Sequence, residues 1–152
     1  MEPLYTAEAH VAGGRDGRAW TADGRLDLEL RQPKELGGDG AGTNPEQLFA
    51  IGYAACFATV LTLLGRREKI TTEDVEIDSK AMLIPTGTGA FKLGVELDIA
   101  LPSLADAARA MDVVREAHRI CPYSNATRGN IDVSLIVNGA RLGASALLEA
   151  RG

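Results

Sequence analysis

Cysteine is scarce in this 152-residue chain: Cys56 and Cys121 are its only two. No Cys-x-x-Cys pair exists, which argues against a thioredoxin-like reductase and against zinc modules built on closely spaced cysteine couples. Histidine is equally scarce, with His10 and His118. His118 and Cys121 are spaced i, i+3 and could share a helix face. With Cys56 and His10 they could in principle make a zinc site, but the spacing is not that of a metal motif and no metal is expected. Basic runs are absent and the formal net charge is -5, so neither nucleic acid nor a membrane surface finds electrostatic support. The N-terminus, MEPLYTAEAH, lacks the charged and apolar regions of an export signal. The apolar stretch around Cys56 is broken by Gly52, Tyr53 and Thr59 and is expected to be too short to span a bilayer. The expected location is therefore cytoplasmic. Thiols stay reduced there, so a cysteine pair reads as catalytic, sensing or metal-binding rather than as a staple.

The length predicts one domain over residues 1–152. Leu4–Ala12 reads as a strand, GGRDGR (Gly13–Arg18) as a turn, and Arg18–Ala22 and Leu26–Leu30 as strands around Asp23-Gly24. A Gly/Pro-rich loop, QPKELGGDGAGTN, follows. Asn44 is a good N-cap, Pro45 suits the first helical position, and Gln47 completes a capping-box spacing. The helix that starts there carries Leu48, Phe49, Tyr53, Cys56, Phe57, Val60, Leu61 and Leu64 at three-and-four spacing, with small residues between. It is expected to be buried on most sides and to end at Gly65 and RREK. Val75–Ile84 and Ala90–Leu101 read as a hairpin around PTGTG. Ser103 is the expected cap of a second helix that buries Leu104, Ala107, Ala108, Met111, Val114 and Cys121, and Pro122 ends it. Ile131–Val137 reads as a last strand, followed by an ambiguous tail for which a short helix is one reading. Strands, helix, hairpin, helix, strand is an α+β order. A helix this apolar needs more cover than one small sheet provides, which points to a second subunit.

From the residues alone Cys56 is open to two readings. A free cysteine in an apolar helix is commonly a small core hydrophobe, inert because burial raises its pKa. It becomes a nucleophile only beside a positive charge. At pKa ~8.5 about 3% is thiolate at pH 7, and at pKa ~6 about 90%. Arg15 is a candidate for that charge, although an Arg in such a turn is usually solvated, as Arg18 and Arg128 are also expected to be. Glu46 reads equally as a first-turn acid that complements the helix dipole. Cys121, at a helix C-terminus, is a poor first nucleophile and an acceptable second thiol. His118 reads as a residue stabilising its own helix end, and Tyr53 and Tyr123 as packing.

TNPEQLFAIGYAACF (Thr43–Phe57) and CPYSNATRGNI (Cys121–Ile131) resemble the two signatures of the organic hydroperoxide resistance (Ohr) proteins of the OsmC superfamily. YTAEAHVAGGRDGRAWTADGRLDLEL and PKELGG resemble that family too, so the likeness runs from about Leu4 to Val137. Ile51, where Ala is common, and a longer C-terminus depart from it.

The resemblance implies an intertwined homodimer with antiparallel sheets wrapped around central helices. It implies an antioxidant thiol peroxidase that reduces organic hydroperoxides to alcohols. Cys56 would be the peroxidatic thiol and Cys121 the resolving thiol, joined in a redox-active disulfide. Arg15 would activate Cys56 and Glu46 would hold Arg15. No bound cofactor is implied; the reductant would be an external dithiol, dihydrolipoamide or a lipoylated protein. Leu48, Phe49, Phe57 and Met82 are candidate pocket residues, each equally readable as packing. A non-enzymatic redox sensor or binding protein would use the same disulfide. Glu46 and Cys56, ten residues apart on one helix, would stand about 15 Å apart along its axis and roughly 80° apart around it. A site assembled across two subunits removes that difficulty.

Overall fold

The computed structural model describes residues 1–143; the tail read above as ambiguous lies largely outside them. The chain forms two compact units, Met1–Leu48 and Phe49–Gly152.

In the first unit, strands β1 (Ala9–Ala12), β2 (Arg18–Thr21) and β3 (Asp27–Glu29) form an antiparallel sheet. The first strand is shorter than the Leu4–Ala12 expected, because β2 offers partners only as far as Thr21, opposite Ala9. A 3-10 turn, Gly14–Asp16, joins β1 to β2. Gly17 closes this turn where no side chain fits: a Cβ there would lie 1.8 Å from the Ala12 carbonyl oxygen. The Gly/Pro-rich loop after β3 is tied back by Arg31 N–H to Thr43 O and Thr43 N–H to Glu29 O, both 2.9 Å.

Helix α1 spans Pro45–Glu68. Its start is the capping box foreseen: Gln47 N–H donates to Asn44 Oδ1 at 3.0 Å, and Asn44 N–H to Gln47 Oε1 at 3.3 Å. Its end falls within RREK, at Glu68, as expected, but not at Gly65. That glycine is buried inside the helix, where Thr72 Oγ1 passes 1.9 Å from the position of a Cβ and donates to the Leu61 carbonyl at 3.0 Å. The residue reads as a stop in sequence and serves as a close-approach point in space. The 24-residue helix is also long and apolar enough, by length and composition, to cross a membrane, contrary to the expectation from sequence. One side of it is core: Tyr53, Phe57, Val60, Leu61 and Leu64 are buried. Ile51 and Leu63, 66% and 60% exposed, show that burial on most sides is not met within one chain.

In the second unit, β4 (Glu76–Pro85) and β5 (Phe91–Ala100) form the expected hairpin. Helix α2 (Ala107–Ile120) then carries the chain to β6 (Asp132–Val137), which pairs parallel with β5. The α+β reading holds, with this one parallel pairing in a mixed sheet ordered β4-β5-β6 and completed by a short edge strand, β7 (Ala140–Arg141). A crossover through a helix is what a parallel neighbour requires. Asn138-Gly139, both at positive φ, turn the chain into the two-residue β7, the backbone of a tight hairpin. Asp106, not Ser103, caps α2, accepting from Arg109 N–H at 3.0 Å. Ser103 is taken by Asp74, to which its hydroxyl donates at 2.6 Å. Starting later, α2 buries Ala110, Val113, Val114, Ala117 and His118, and leaves Ala107 and Ala108 exposed.

Candidate active site

Cys56 lies midway along α1, and Cys121 at the junction of α2 and a short helix α3 (Pro122–Thr127). Pro122 explains the junction. A proline disfavours helical ψ in the residue before it, and Cys121 is extended, with ψ 128°. The same proline suits the first position of a new helix; it therefore ends α2, as expected, and opens α3, which the sequence reading missed. Cys121 belongs to both helices by hydrogen bonding: its N–H donates to Ala117 O at 2.8 Å, and its carbonyl accepts from Asn125 N–H at 2.9 Å.

The two thiols are free and their sulfurs stand 3.6 Å apart, with Cys121 buried and Cys56 half-buried. A disulfide needs about 2.05 Å, so a small approach closes the gap. Burial pushes the Cys56 thiol pKa up and Cys121 adds to the rise, while the Tyr123 N–H opposes it. The neighbourhood of the thiol in its own unit therefore disfavours the thiolate, opposite to the lowered pKa that a nucleophile needs.

Arg15 and Glu46, both in the first unit, form a bidentate pair at 2.8 and 2.5 Å. The 3-10 turn presents the arginine and the first turn of α1 presents the glutamate. Arg15 is thus not a solvated turn residue. Its guanidinium holds the Glu46 carboxyl below the usual carboxylate range, against a smaller opposing effect of burial. Arg18 pairs at the surface with Asp27.

Arg128 is not solvated either. Its guanidinium donates to the carbonyls of His118 at 2.5 Å and Arg119 at 3.2 Å, capping the end of α2. His118, expected to stabilise that end by its charge, is buried and neutral. Burial, assisted by Arg128, lowers its pKa to about 4. Its Nδ1 lies 3.0 Å from Ser124 Oγ, which lies 2.9 Å from the Tyr53 hydroxyl. No residue pattern announces these contacts, because Arg128 lies eight residues beyond the helix end it caps.

Of the candidate pocket residues, Phe57 is buried in the core and Met82 is exposed on β4. Phe49 joins Tyr53 and Tyr123 in an aromatic group with centroids 5.6–6.2 Å apart. Among the described residues no group of three or more His, Cys, Asp or Glu side chains is placed to hold a metal ion.

The site is that of a two-thiol protein on an α+β frame, and comparison with known proteins places it. The OsmC-like protein family model matches residues 37–136. An organic hydroperoxide resistance protein of Xanthomonas axonopodis pv. citri is 52% identical over 136 residues, covering 87% of this chain and 93% of that protein. The crystal structure of a putative organic hydroperoxide resistance protein from Vibrio cholerae has captopril in one of its active sites. It superposes with TM-score 0.88 at 42% identity, covering 93% of this chain and 97% of that one. The corresponding protein OhrB of Bacillus subtilis gives TM-score 0.80 at 42% identity, with 89% and 99% covered. The chain belongs to the OsmC superfamily, in its organic hydroperoxide resistance (Ohr) branch.

Proposed function

We propose that the chain is a cytoplasmic thiol peroxidase that reduces organic hydroperoxides to alcohols. The observation that carries this reading is the pair of free sulfurs 3.6 Å apart on separate helices. Relatives named for organic hydroperoxide resistance support it. The Cys56 thiolate attacks one peroxide oxygen, the O–O bond breaks, and the alcohol leaves with a proton; Cys56 becomes a sulfenic acid. The Cys121 thiol then displaces water from that sulfenic acid and the disulfide forms. An external dithiol restores both thiols by exchange and is itself oxidised to a disulfide. The reductant is a dihydrolipoyl group, free or carried by a lipoylated protein.

Because burial disfavours the Cys56 thiolate, a positive charge has to reach it. Arg15 is the proposed source, stabilising the thiolate and the charge that develops on the leaving oxygen. Glu46 fixes the guanidinium plane through two parallel bonds. In this reading the enzyme is a homodimer and Arg15 and Glu46 of one subunit serve Cys56 of the other. The exposed apolar side chains of α1, Ile51 and Leu63 among them, need a cover that a second copy supplies.

The test is peroxide consumption with dihydrolipoamide, thioredoxin or glutathione as reductant and cumene, lipid or hydrogen peroxide as substrate. Multiple turnover of the organic peroxides with dihydrolipoamide is expected. Stoichiometric oxidation with no turnover under any reductant would show a redox sensor instead.

A further inference from the structure

Cys56 and Cys121 are one of two ties between the same pair of helices. Tyr53 precedes Cys56 by three residues on α1, and Ser124 follows Cys121 by three residues on α3. The Tyr53 hydroxyl lies 2.9 Å from Ser124 Oγ and 3.2 Å from Thr127 Oγ1. Ser124 Oγ continues to His118 Nδ1 on α2 at 3.0 Å. Tyr53, Ser124, Thr127 and His118 are all buried. The chain of hydroxyls thus fastens α1, α3 and α2 about one helical turn from the sulfurs. Thr127 also donates to the Tyr123 carbonyl at 2.9 Å, and Arg128 holds the carbonyls of His118 and Arg119 on the other side of Cys121.

Most of this hardware is unnecessary for the attack of Cys56 on peroxide. Its place is at the resolving thiol. After oxidation, the Cys56 sulfenic acid has two fates: attack by Cys121, which expels water and forms the disulfide, or reaction with a second hydroperoxide, which gives sulfinic acid and alcohol. The first is intramolecular and depends on where Cys121 is held. The second depends on peroxide concentration. Resting on the peroxidase reading, we infer that Tyr53, through Ser124, is a positioning residue for the resolving thiol. It sets the partition between disulfide and over-oxidation.

The hydroxyl can be removed with the ring retained, in Tyr53→Phe. Loss of the hydroxyl's bonds to Ser124 and Thr127 should slow disulfide formation about five- to tenfold, and lower by the same factor the peroxide concentration at which half of Cys56 becomes sulfinic acid. The rate of the first oxidation of Cys56 should stay within about twofold. Stopped-flow peroxide reaction reads the first step, and intact mass spectrometry over a peroxide series reads the partition. Ser124→Ala should shift the partition in the same direction, and the double variant should add little to either. Thermal melts of each variant separate this from general loosening, which slows both steps together. An unchanged partition in Tyr53→Phe and Ser124→Ala, or an equal fall in both steps, would overturn the inference. Absence of any disulfide in the unmodified protein would instead overturn the peroxidase reading on which it rests.

Discussion

In Met1–Leu48 the buried apolar side chains are Ala19 and Leu30. In the unit that follows they run from Tyr53, Phe57, Leu61 and Leu64 on α1 through Val95, Leu97 and Ile99 on β5 to Leu135 and Val137 on β6. The first unit is held by turns, a short sheet and ion pairs such as Arg15–Glu46 and Arg18–Asp27. The second is held by a core. The chemistry divides along the same line: the paired cation belongs to the first unit and the thiols to the second. Burial gives the thiols a fixed separation and withholds the charge that would ionise one of them. A guanidinium is cheaply kept where water reaches it, and a close-packed core is where two sulfurs can be held within 4 Å. The proposed activation by Arg15 would therefore draw on two regions with different physics.

The largest expected effect breaks the thiol side. Cys56→Ser should abolish peroxide reduction, because a hydroxyl at that position has no comparable nucleophilicity. Cys121→Ser should react once and then stall or proceed to sulfinic acid at Cys56. Single- and multiple-turnover assays with mass spectrometry check both. Full turnover in Cys121→Ser with a dithiol would remove the resolving role.

The charge side comes next. Arg15→Ala should raise the Cys56 pKa and slow peroxide reduction at pH 7 by up to about thirtyfold, the change in thiolate fraction between pKa ~6 and ~8.5. The pH dependence of alkylation measures it directly, and an unshifted curve excludes Arg15. Co-refolding Arg15→Ala with Cys56→Ser chains sharpens the comparison. If the charge is supplied across subunits, a heterodimer regains one working site. No recovery in demonstrated heterodimers would refute the shared site and leave the thiol chemistry untouched.

How much of this was legible in the sequence follows the same division. Periodicity found α1, the hairpin and β6 because local pattern dictates them, and the Asn44–Gln47 box set the start of α1 to the residue. Gly65 misled because a stop signal and a close-approach point look alike until Thr72, in the loop that follows the helix, folds back beside it. Ser103 misled because Asp74 competes for its hydroxyl. The resemblance named Cys56, Cys121, Arg15 and Glu46, and the structure brings them together in two pairs. His118, Ser124, Tyr53 and Arg128 were read as bland or passed over, since their partners are set by the packing of α1, α2 and α3.

His118 gives the core an acid sensitivity that the ion-paired unit does not share in the same range. Its folded pKa of about 4 lies below the ordinary 6.5, so protons bind the unfolded chain more readily. Stability is then undiminished above pH 6.5 and falls as pH drops towards 4, with a loss of about 2 kcal/mol by pH 5. Glu46, whose carboxyl Arg15 holds below its usual range, adds its own loss only at lower pH. Urea unfolding from pH 7.5 to 5 should show this slope in the native protein and a flatter one in His118→Asn.

The smallest effect falls at Gly65, inside the core and nine residues beyond Cys56 on α1. Alanine there gains about 1 kcal/mol of helix propensity over glycine. The added methyl would meet Thr72 Oγ1 at 1.9 Å and the Ile70 carbonyl oxygen at 2.9 Å. Relieving such a clash costs about 1–3 kcal/mol, so overpacking wins by about 1 kcal/mol and Gly65→Ala should lower the melting temperature by a few degrees. Adding Thr72→Ala removes the hydroxyl but not the Ile70 carbonyl, and should recover only part of the Gly65→Ala clash while losing the bond to Leu61 O. The rate at which Cys56 reacts with peroxide should not change in Gly65→Ala. A melting temperature equal to or above that of the native protein would mean that the loop carrying Ile70 and Thr72 gives way, and that the close approach at Gly65 is not a constraint on the core.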